Sequence, residues 1–374
     1  MALDVDRGAA DSLPNGGALP ADDTRPAAPA ELPADGAVDE LVTVVIPARN
    51  EVDGIEAVLR SVLDQTYREL QVIVVDGAST DGTPDVVRAV AASDPRVELV
   101  TNPDRVIPVA LNLAVDRARG RYLVRVDAHA RIPNDYVERV VAHLATDRWG
   151  GVGGRKNARG RTAAGRAIAA VMGSKFGQGN SVYHYGTEPQ PVDHVPFGAY
   201  PLDVVRELGG WTEEQLVNED YEFDYRLRRS GRELLFDPAV EIDWDCRQSV
   251  GALFRQYRRY GAGKVQTLVR HPESAAVRHL AAPGMVAGLA AAVVLLPFRR
   301  TRLLALALAA PYLGIVLAGT ATTVRCVEGT DAKVWVAPAF VALHVGWGLG
   351  FWEELWATWR AGGGARPGLA ASGR

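Results

Sequence analysis

Apolar positions follow two short rhythms before residue 250 and form long blocks after residue 280. Leu41–Pro47 (LVTVVIP) and Leu70–Asp76 (LQVIVVD) are near-continuous runs rich in β-branched residues, the pattern of strands buried on both faces. Between them Val52, Ile55, Leu59, Val62 and Leu63 recur at helical spacing. Val97–Thr101 reads as a third strand, Ile107–Arg119 as a second amphipathic helix and Tyr122–Asp127 as a further strand. Strands alternating with helices require crossovers, so the expected fold class is α/β with a mostly parallel, doubly wound sheet. In such sheets ligands sit beyond the carboxyl ends of the strands.

The last quarter of the chain has another character. Leu280–Phe298, Leu303–Val324 and Val334–Phe351 are apolar stretches of 19, 22 and 18 residues. Each is close to the ~20 residues that cross a bilayer. Three in succession, almost free of charge inside, point to membrane association. With the preceding domain inside, three full spans would place Arg299, Arg300 and Arg302 outside, against the positive-inside rule. A re-entrant Leu280–Phe298 would leave two spans, so both counts stay open. Just before these segments, residues 252–279 carry six Lys/Arg against the single acid Glu273, the composition of a basic amphipathic stretch on an anionic membrane face.

Composition adds limits. The 374 residues are 48% hydrophobic and 23% charged with a formal charge of −4, which excludes a collagen-like or uniformly basic nucleic-acid-binding chain. Residues 1–40 hold nine acids and two bases, and their Ala/Pro/Gly/Asp-rich sequence predicts a disordered acidic leader without a secretory signal. The two cysteines, Cys246 and Cys326, form no disulfide framework and fit a reducing compartment. The expected organisation is a leader over 1–40, a catalytic domain over 41–250, basic interface helices over 251–279, a membrane region over 280–355 and a flexible tail over 356–374.

Candidate chemistry gathers at strand ends. The first strand runs into Pro47-Ala48-Arg49-Asn50-Glu51, the second into Asp76-Gly77-Ala78-Ser79-Thr80-Asp81-Gly82, the fourth into Asp127-Ala128-His129. None carries a GxGxxG or GxxxxGK[ST] phosphate loop, which disfavours a dinucleotide enzyme or P-loop NTPase. A strand-end carboxylate can accept bonds from a nucleobase or ribose, although Asp76 and Asp81 also fit simple turn chemistry. On extended backbone Asp127 and His129 point the same way and could grip one Mn²⁺ or Mg²⁺ on a diphosphate. Asp243-Trp244-Asp245 is a second pair of that spacing. Acids from Glu213 to Asp224 open a helical period, where the helix dipole favours them and one could act as general base. Gln256 in Gln256-Tyr257-Arg258-Arg259-Tyr260 suits hydrogen bonding more than membrane contact.

Taken in order, VVIPARNE (Val44–Glu51), VVDGASTDGT (Val74–Thr83), ALN (Ala110–Asn112), VDAH (Val126–His129), GGW…NEDYEFDYRLRRSG (Gly209–Gly231), QYRRYGAGK (Gln256–Lys264) and HVGWGLGF (His344–Phe351) resemble a family-2 glycosyltransferase of the GT-A fold. The likeness is to the membrane-attached group typified by succinoglycan exopolysaccharide enzymes. It is strong over residues 41–265 and looser in the apolar tail. The resemblance implies that Pro47, Arg49, Glu51, Asp76, Ser79, Asn112 and Asp127 bind the nucleotide sugar, with Asp76 on the base. It implies Asp127 and His129 as a DxD-like site for Mn²⁺ or Mg²⁺, Asp220 as catalytic base with Glu219 beside it, and Gln256, Arg259 and Tyr260 closing over donor and acceptor. Three departures stand out: Asp76-Gly77-Ala78 replaces Asp-Asp-Gly, His129 replaces the last DxD acid, and Tyr260 replaces Trp.

The implied activity is inverting transfer of a sugar from a nucleotide donor, by resemblance a UDP-hexose, to a lipid-linked saccharide or polysaccharide. Expected partners are that donor, that acceptor, membrane lipids and other polysaccharide-assembly proteins, with no nucleic acid. The expected location is the inner (cytoplasmic) membrane, multi-pass, with the catalytic domain in the cytoplasm. A polyprenyl-phosphate sugar synthase is the second reading and a processive synthase the third, disfavoured by the Tyr260 ending and the few spans. A non-catalytic membrane scaffold is the reading from another class, and the joint presence of Asp127, Asp220 and Gln256 counts against it.

Overall fold

The computed structural model describes residues 40–362; the expected acidic leader and the end of the expected tail lie outside the described residues. The first half runs β1 (Val42–Ala48), α1 (Ile55–Leu63), β2 (Leu70–Asp76), α2 (Thr83–Ser93), β3 (Val97–Thr101), α3 (Ile107–Arg117) and β4 (Tyr122–Arg125); the four strands, α1 and α3 were expected, α2 is an addition, and β4 stops two residues short of Asp127. A short β5 (Ala130–Arg131), α4 (Tyr136–Leu144) and the long β6 (Trp149–Arg159) follow. Then come α5 (Ala163–Met172), α6 (Lys175–Gln178), β7 (Gln190–Val192), β8 (Ala199–Pro201), α7 (Leu202–Glu207), α8 (Glu219–Arg229) and β9 (Glu233–Asp245). The chain ends in α9 (Val250–Arg270), α10 (Ala281–Leu295), α11 (Arg302–Thr323), α12 (Thr330–Lys333) and α13 (Val336–Arg360).

The strands form one sheet in the order β3-β2-β1-β4-β8-β6-β9-β5, with β7 also on β9. β1, β2, β3 and β4 pair in parallel, the doubly wound half that the apolar runs predict. Beyond β4 the sheet becomes mixed: β8 pairs antiparallel with β4 and β6, whereas β6 and β9 are parallel. Successive side chains of a strand face opposite ways. Val44, Ile46, Val72 and Val74 therefore pack with α1, α2 and α4, while Val45, Ile73 and Val75 pack with α3, α7 and α8. Both faces are covered, which is why these strands read as continuous apolar runs.

A third core joins the C-terminal helices to this domain. Ala167, Ile168 and Val171 of α5 meet Leu253 and Tyr257 of α9 and Val336, Ala339 and Phe340 of α13. α9, expected from its basic composition as an interface helix, packs one side into this core. Leu253, Gln256, Tyr257, Gly261, Lys264 and Val265 are buried, and its bases are divided between solvent and interior.

Glycines make the α9–α13 seam. A Cβ on Gly350 would lie 1.8 Å from the Arg258 carbonyl oxygen, and one on Gly261 would lie 2.0 Å from that of Trp347. Gly348, on another face of α13, stands against Ala282 and Val286 of α10. The spacing in HVGWGLGF therefore serves backbone-to-backbone approach. Three helices, Val277–Leu295, Arg302–Cys326 and Thr330–Arg360, are long and apolar enough to cross a membrane. Large side chains such as Val293, Leu303 and Leu317 are well exposed on them, which fits lipid contact. The last of these helices runs to Arg360, past the expected start of the tail.

Replacing Gly350 with Val should force α9 and α13 apart. We expect a loss of about 1–3 kcal/mol or more in stability, read as a lowered thermal midpoint in detergent. Gly288→Ala is the matched control: nothing lies within 4 Å of its added methyl, so its midpoint should not fall.

Candidate active site

Two loops after β1 and β2 are stitched together by short polar side chains. Asn50, in the left-handed region at φ 56°, accepts the Thr80 N–H at 2.9 Å, and its own N–H donates to Ser79 Oγ at 2.8 Å. The Glu51 N–H donates to Thr83 Oγ1 (2.8 Å) and the Val52 N–H to Asp81 Oδ2 (3.1 Å). Ser79 and Asp81 are therefore loop-building groups, the turn role open to Asp81 from sequence. Asp76 is buried; one carboxylate oxygen accepts the Ser79 N–H and the other has no partner.

The chain leaving β4 carries Arg125, Asp127 and His129. Arg125 is 5% exposed and donates from Nε to Asp127 Oδ1 (2.9 Å) and from Nη1 to Glu219 Oε1 (3.0 Å). One guanidinium thus ties the strand end to the first turn of α8. Burial opposes its charge, but Asp127, Glu219 and Asp220 hold the guanidinium more firmly protonated than usual. His129 Nδ1 lies 3.5 Å from Glu51 Oε1, and that carboxylate raises the exposed imidazole above its ordinary pKa.

The acids around α8 separate by partner. Glu222 and Asp224 are fully buried; Glu222 accepts from Arg226 and lies 2.9 Å from His271, while Asp224 accepts from Tyr200 Oη and the Val195 N–H. Glu219 is anchored on Arg125, and burial with the adjacent Asp220 charge raises its pKa. Asp220 turns toward the cleft with a quarter of its side chain exposed, one oxygen taking the Tyr221 N–H at 2.8 Å. Burial would raise Asp220, but His194, Arg125 and Lys156 hold it below its ordinary pKa. His194 Nε2 is 3.7 Å from Asp220, and its Nδ1 is 2.7 Å from Asp224. Burial alone would depress this imidazole, yet the two carboxylates keep its pKa raised.

α9 supplies the far wall. Gln256 donates to Tyr260 Oη at 2.9 Å, and its own amide oxygen is buried without a partner. Asn218 donates to the Tyr260 carbonyl (3.2 Å), fixing the entry of α8 to this helix. Lys156 Nζ lies over Phe197 and Trp244, 4.4 and 4.1 Å from the ring centroids, and burial lowers its pKa to about 8.

A cleft of about 2590 Å³ brings together Arg49, Glu51, Asp127, His129, Glu219, Asp220, Gln256, Arg259 and Tyr260. Pro47, Asp76, Ser79 and Asn112 are not on its wall. Asn112 needs correction: its carboxamide accepts from the Trp211 N–H and donates to the Trp211 carbonyl and Glu213, locking the Gly209–Trp211 loop. Gly210, at φ 70°, leaves the room this needs, since a Cβ there would meet Asn112 Oδ1 at 2.4 Å. Arg125, Lys156 and His194 were missed by sequence reasoning, although a lone charge inside an apolar strand was a usable signal for Arg125.

Among the described residues no group of three or more His, Cys, Asp or Glu could hold a metal alone. Asp127 and His129 both line the cleft, but on a turn closed by the Ala130 N–H on the Asp127 carbonyl (2.9 Å) and not on the extended backbone expected from the sequence. Arg125 takes one Asp127 oxygen, and the other, with the His129 imidazole on the same wall, is an oxygen-plus-nitrogen donor set of the kind Mn²⁺ accepts when phosphate oxygens and water fill the remaining positions. Asp243 and Asp245, the rival pair, are instead matched by Arg159 (2.8 Å) and Arg161 (3.3 Å) on the neighbouring strand and loop.

Residues 43–184 match the model of glycosyl transferase family 2, and residues 122–320 that of glycosyl transferase family group 2. The succinoglycan biosynthesis protein ExoA of Rhizobium meliloti (strain 1021) is 30% identical over 85% of this chain and 97% of its own length. A dolichyl N-acetyl-α-D-glucosaminyl phosphate 3-β-D-2,3-diacetamido-2,3-dideoxy-β-D-glucuronosyltransferase of Methanococcus voltae is 25% identical over 60% of this chain and 72% of its own. Among solved structures, mannosyltransferase PcManGT from Pyrobaculum calidifontis, in complex with GDP-Man and Mn²⁺, superposes with a TM-score of 0.53 at 24% identity, covering 85% of this chain and 88% of that one. That likeness is one of fold, GT-A.

Arg125→Met should leave Asp127 and Glu219 facing each other's charge with no cation between them. A loss on the order of 3–5 kcal/mol is expected for such a buried pair, measured by denaturant unfolding; an unchanged midpoint would remove Arg125 from the centre of the site.

Proposed function

The chain belongs to glycosyltransferase family 2, and from that membership we propose that it moves a hexose from a nucleotide sugar, a UDP-hexose by preference, to a lipid-linked saccharide or polysaccharide at the cytoplasmic face of a membrane. The polymer-building role follows the exopolysaccharide relative. The membrane setting follows the three apolar helices packed beside the catalytic cleft.

The observation that carries the mechanism is the division of labour in the Glu219-Asp220 pair. Glu219 is held by Arg125, whereas Asp220 is ionised, partly exposed and open to the cleft. In this reading Asp220 takes the proton from an acceptor hydroxyl as that oxygen bonds to the anomeric carbon. The bond from that carbon to the nucleoside diphosphate breaks, and its electron pair leaves on the diphosphate. A single displacement inverts the anomeric centre, turning an α-linked donor into a β-linkage. Asp127 and His129 would hold a divalent cation, Mn²⁺ or Mg²⁺, which when bound offsets the charge of the leaving diphosphate. The orphaned oxygen of Asp76 is suited to a nucleobase N–H once the adjoining loop admits the base. Gln256, Arg259 and Tyr260 close the opposite side.

His194 then has a positioning role. Its charge lowers the Asp220 pKa, so Asp220 remains a base toward the acid side of neutrality. His194→Gln removes that charge, Asp220 rises, and the acid limb of the kcat/KM profile should move to higher pH. A limb that stays in place would assign His194 to packing alone.

The function itself is tested by presenting nucleotide sugars with Mn²⁺, Mg²⁺ or EDTA and reading nucleoside diphosphate release. Metal-dependent release from one donor is expected, and none from any donor would overturn the reading. Asp220→Asn should reduce transfer by about 10²–10⁴-fold, the usual share of general base catalysis, while donor binding persists. Substantial turnover in that variant would refute the base assignment.

A further inference from the structure

The cleft also holds a second charged cluster that the donor chemistry above does not use. Lys264 of α9 is 6% exposed, lines the cleft, and has no carboxylate within 4 Å among the described residues. Its ammonium rests 3.7 Å from the centroid of the Tyr221 ring. Arg278 and Arg228 approach from the other side and share one acid, Asp193; Arg278 is paired with it directly, and Arg228 lies 3.8 Å away. Three cations thus face a single carboxylate. His279 accepts the Ala276 N–H on Nδ1, which leaves Nε2–H as a further donor on the cleft wall.

A buried ammonium without an anionic partner is costly, and here two guanidinium groups add repulsion. Burial, Arg278 and Arg228 lower the Lys264 pKa to about 7, offset only by Asp193. Among the described residues Lys264, Arg278 and Arg228 make no ion pair with Asp127, Glu219 or Asp220, whose own partners are Arg125 and His194. Tyr221 links the two regions, its ring centroid 5.7 Å from that of His194 and 3.7 Å from the Lys264 ammonium. The cluster is therefore separate from the donor diphosphate site although it shares the cleft.

Its other neighbour is apolar. α10 begins at Ala281, two residues after His279, and the same cleft continues along Ala282 and Met285 of α10, Tyr312 and Ile315 of α11, and Leu343 and Trp347 of α13. A charged mouth thus leads onto a greasy channel between the candidate membrane helices.

We propose that Lys264, with Arg278 and His279, binds the phosphate or diphosphate of the lipid-linked acceptor, whose hydrocarbon chain lies along α10, α11 and α13, while Arg228 stays with the shared Asp193. This deepens the proposed transfer to a lipid-linked saccharide and rests on it. Because the cluster is set apart from Asp220, the phosphate it holds is an anchor and a sugar hydroxyl is the nucleophile.

Binding of geranylgeranyl diphosphate and of geranylgeraniol to the full chain in detergent micelles tests the site. The diphosphate lipid should bind at least tenfold more tightly than the alcohol. Lys264→Met should remove most of that difference, Lys264→Arg should restore it, and neither variant should alter nucleoside diphosphate binding or the thermal midpoint. Equal binding of both lipids, or a Lys264→Met affinity within twofold of the parent, would overturn the site. Parallel loss of nucleotide binding would overturn it by assigning Lys264 to the donor. Competition by phosphatidylglycerol as strong as by the diphosphate lipid would make it a general headgroup site and overturn the acceptor assignment. Failure of the broader reading shows elsewhere, as absence of nucleoside diphosphate release from every nucleotide sugar.

Discussion

The guanidinium of Arg125 is the contact on which the catalytic geometry rests. Removing an arginine from water costs several kcal/mol, and only close, hydrogen-bonded carboxylates offset it. Asp127 and Glu219 do so from two separate elements, one leaving β4 and one opening α8. The strand end and the helix start are thereby held at a fixed separation. Asp220 follows Glu219 on that helix, so the neighbour's ion pair places it, and the Tyr221 N–H and His194 hold its carboxylate. The polar shell behind it, His194 on Asp224 on Tyr200, lies within the sheet-facing side of α8 and is satisfied throughout.

The apolar helices are continuous with this arrangement. α9 carries Gln256, Tyr260 and Lys264 on the cleft side and presses glycine-thin backbone against α13 on the other. A hydrophobic core of its own, built from α5, α9 and α13, seals the joint. The catalytic domain and the apolar helices are consequently one packed body and not a globule on a flexible stem.

Much of this was legible in the sequence, for identifiable reasons. β1 to β4, α1 and α3 follow from local apolar period, which needs no tertiary information. The motif acids converge because strand ends in a parallel sheet share one edge. What could not be read was partnership. Asn112 looked like a ligand residue, yet its amide closes a loop 99 residues away in sequence. Arg125 and His194 acquire meaning only when α8 arrives beside them. α9 has the composition of a surface helix, and only the facing glycines of α13 explain why it is interior. The mixed half of the sheet was hidden for a similar cause: β7 and β8 are each three residues long, too short to show any period.

Backbone touching backbone has a mechanical corollary. Side chains can yield by changing rotamer; carbonyls against glycines cannot. If the surrounding bilayer thins and α13 tilts to match it, the movement reaches Tyr257 and Tyr260 undamped. The thickness of the host lipid layer is then a physical variable of the reaction chamber itself.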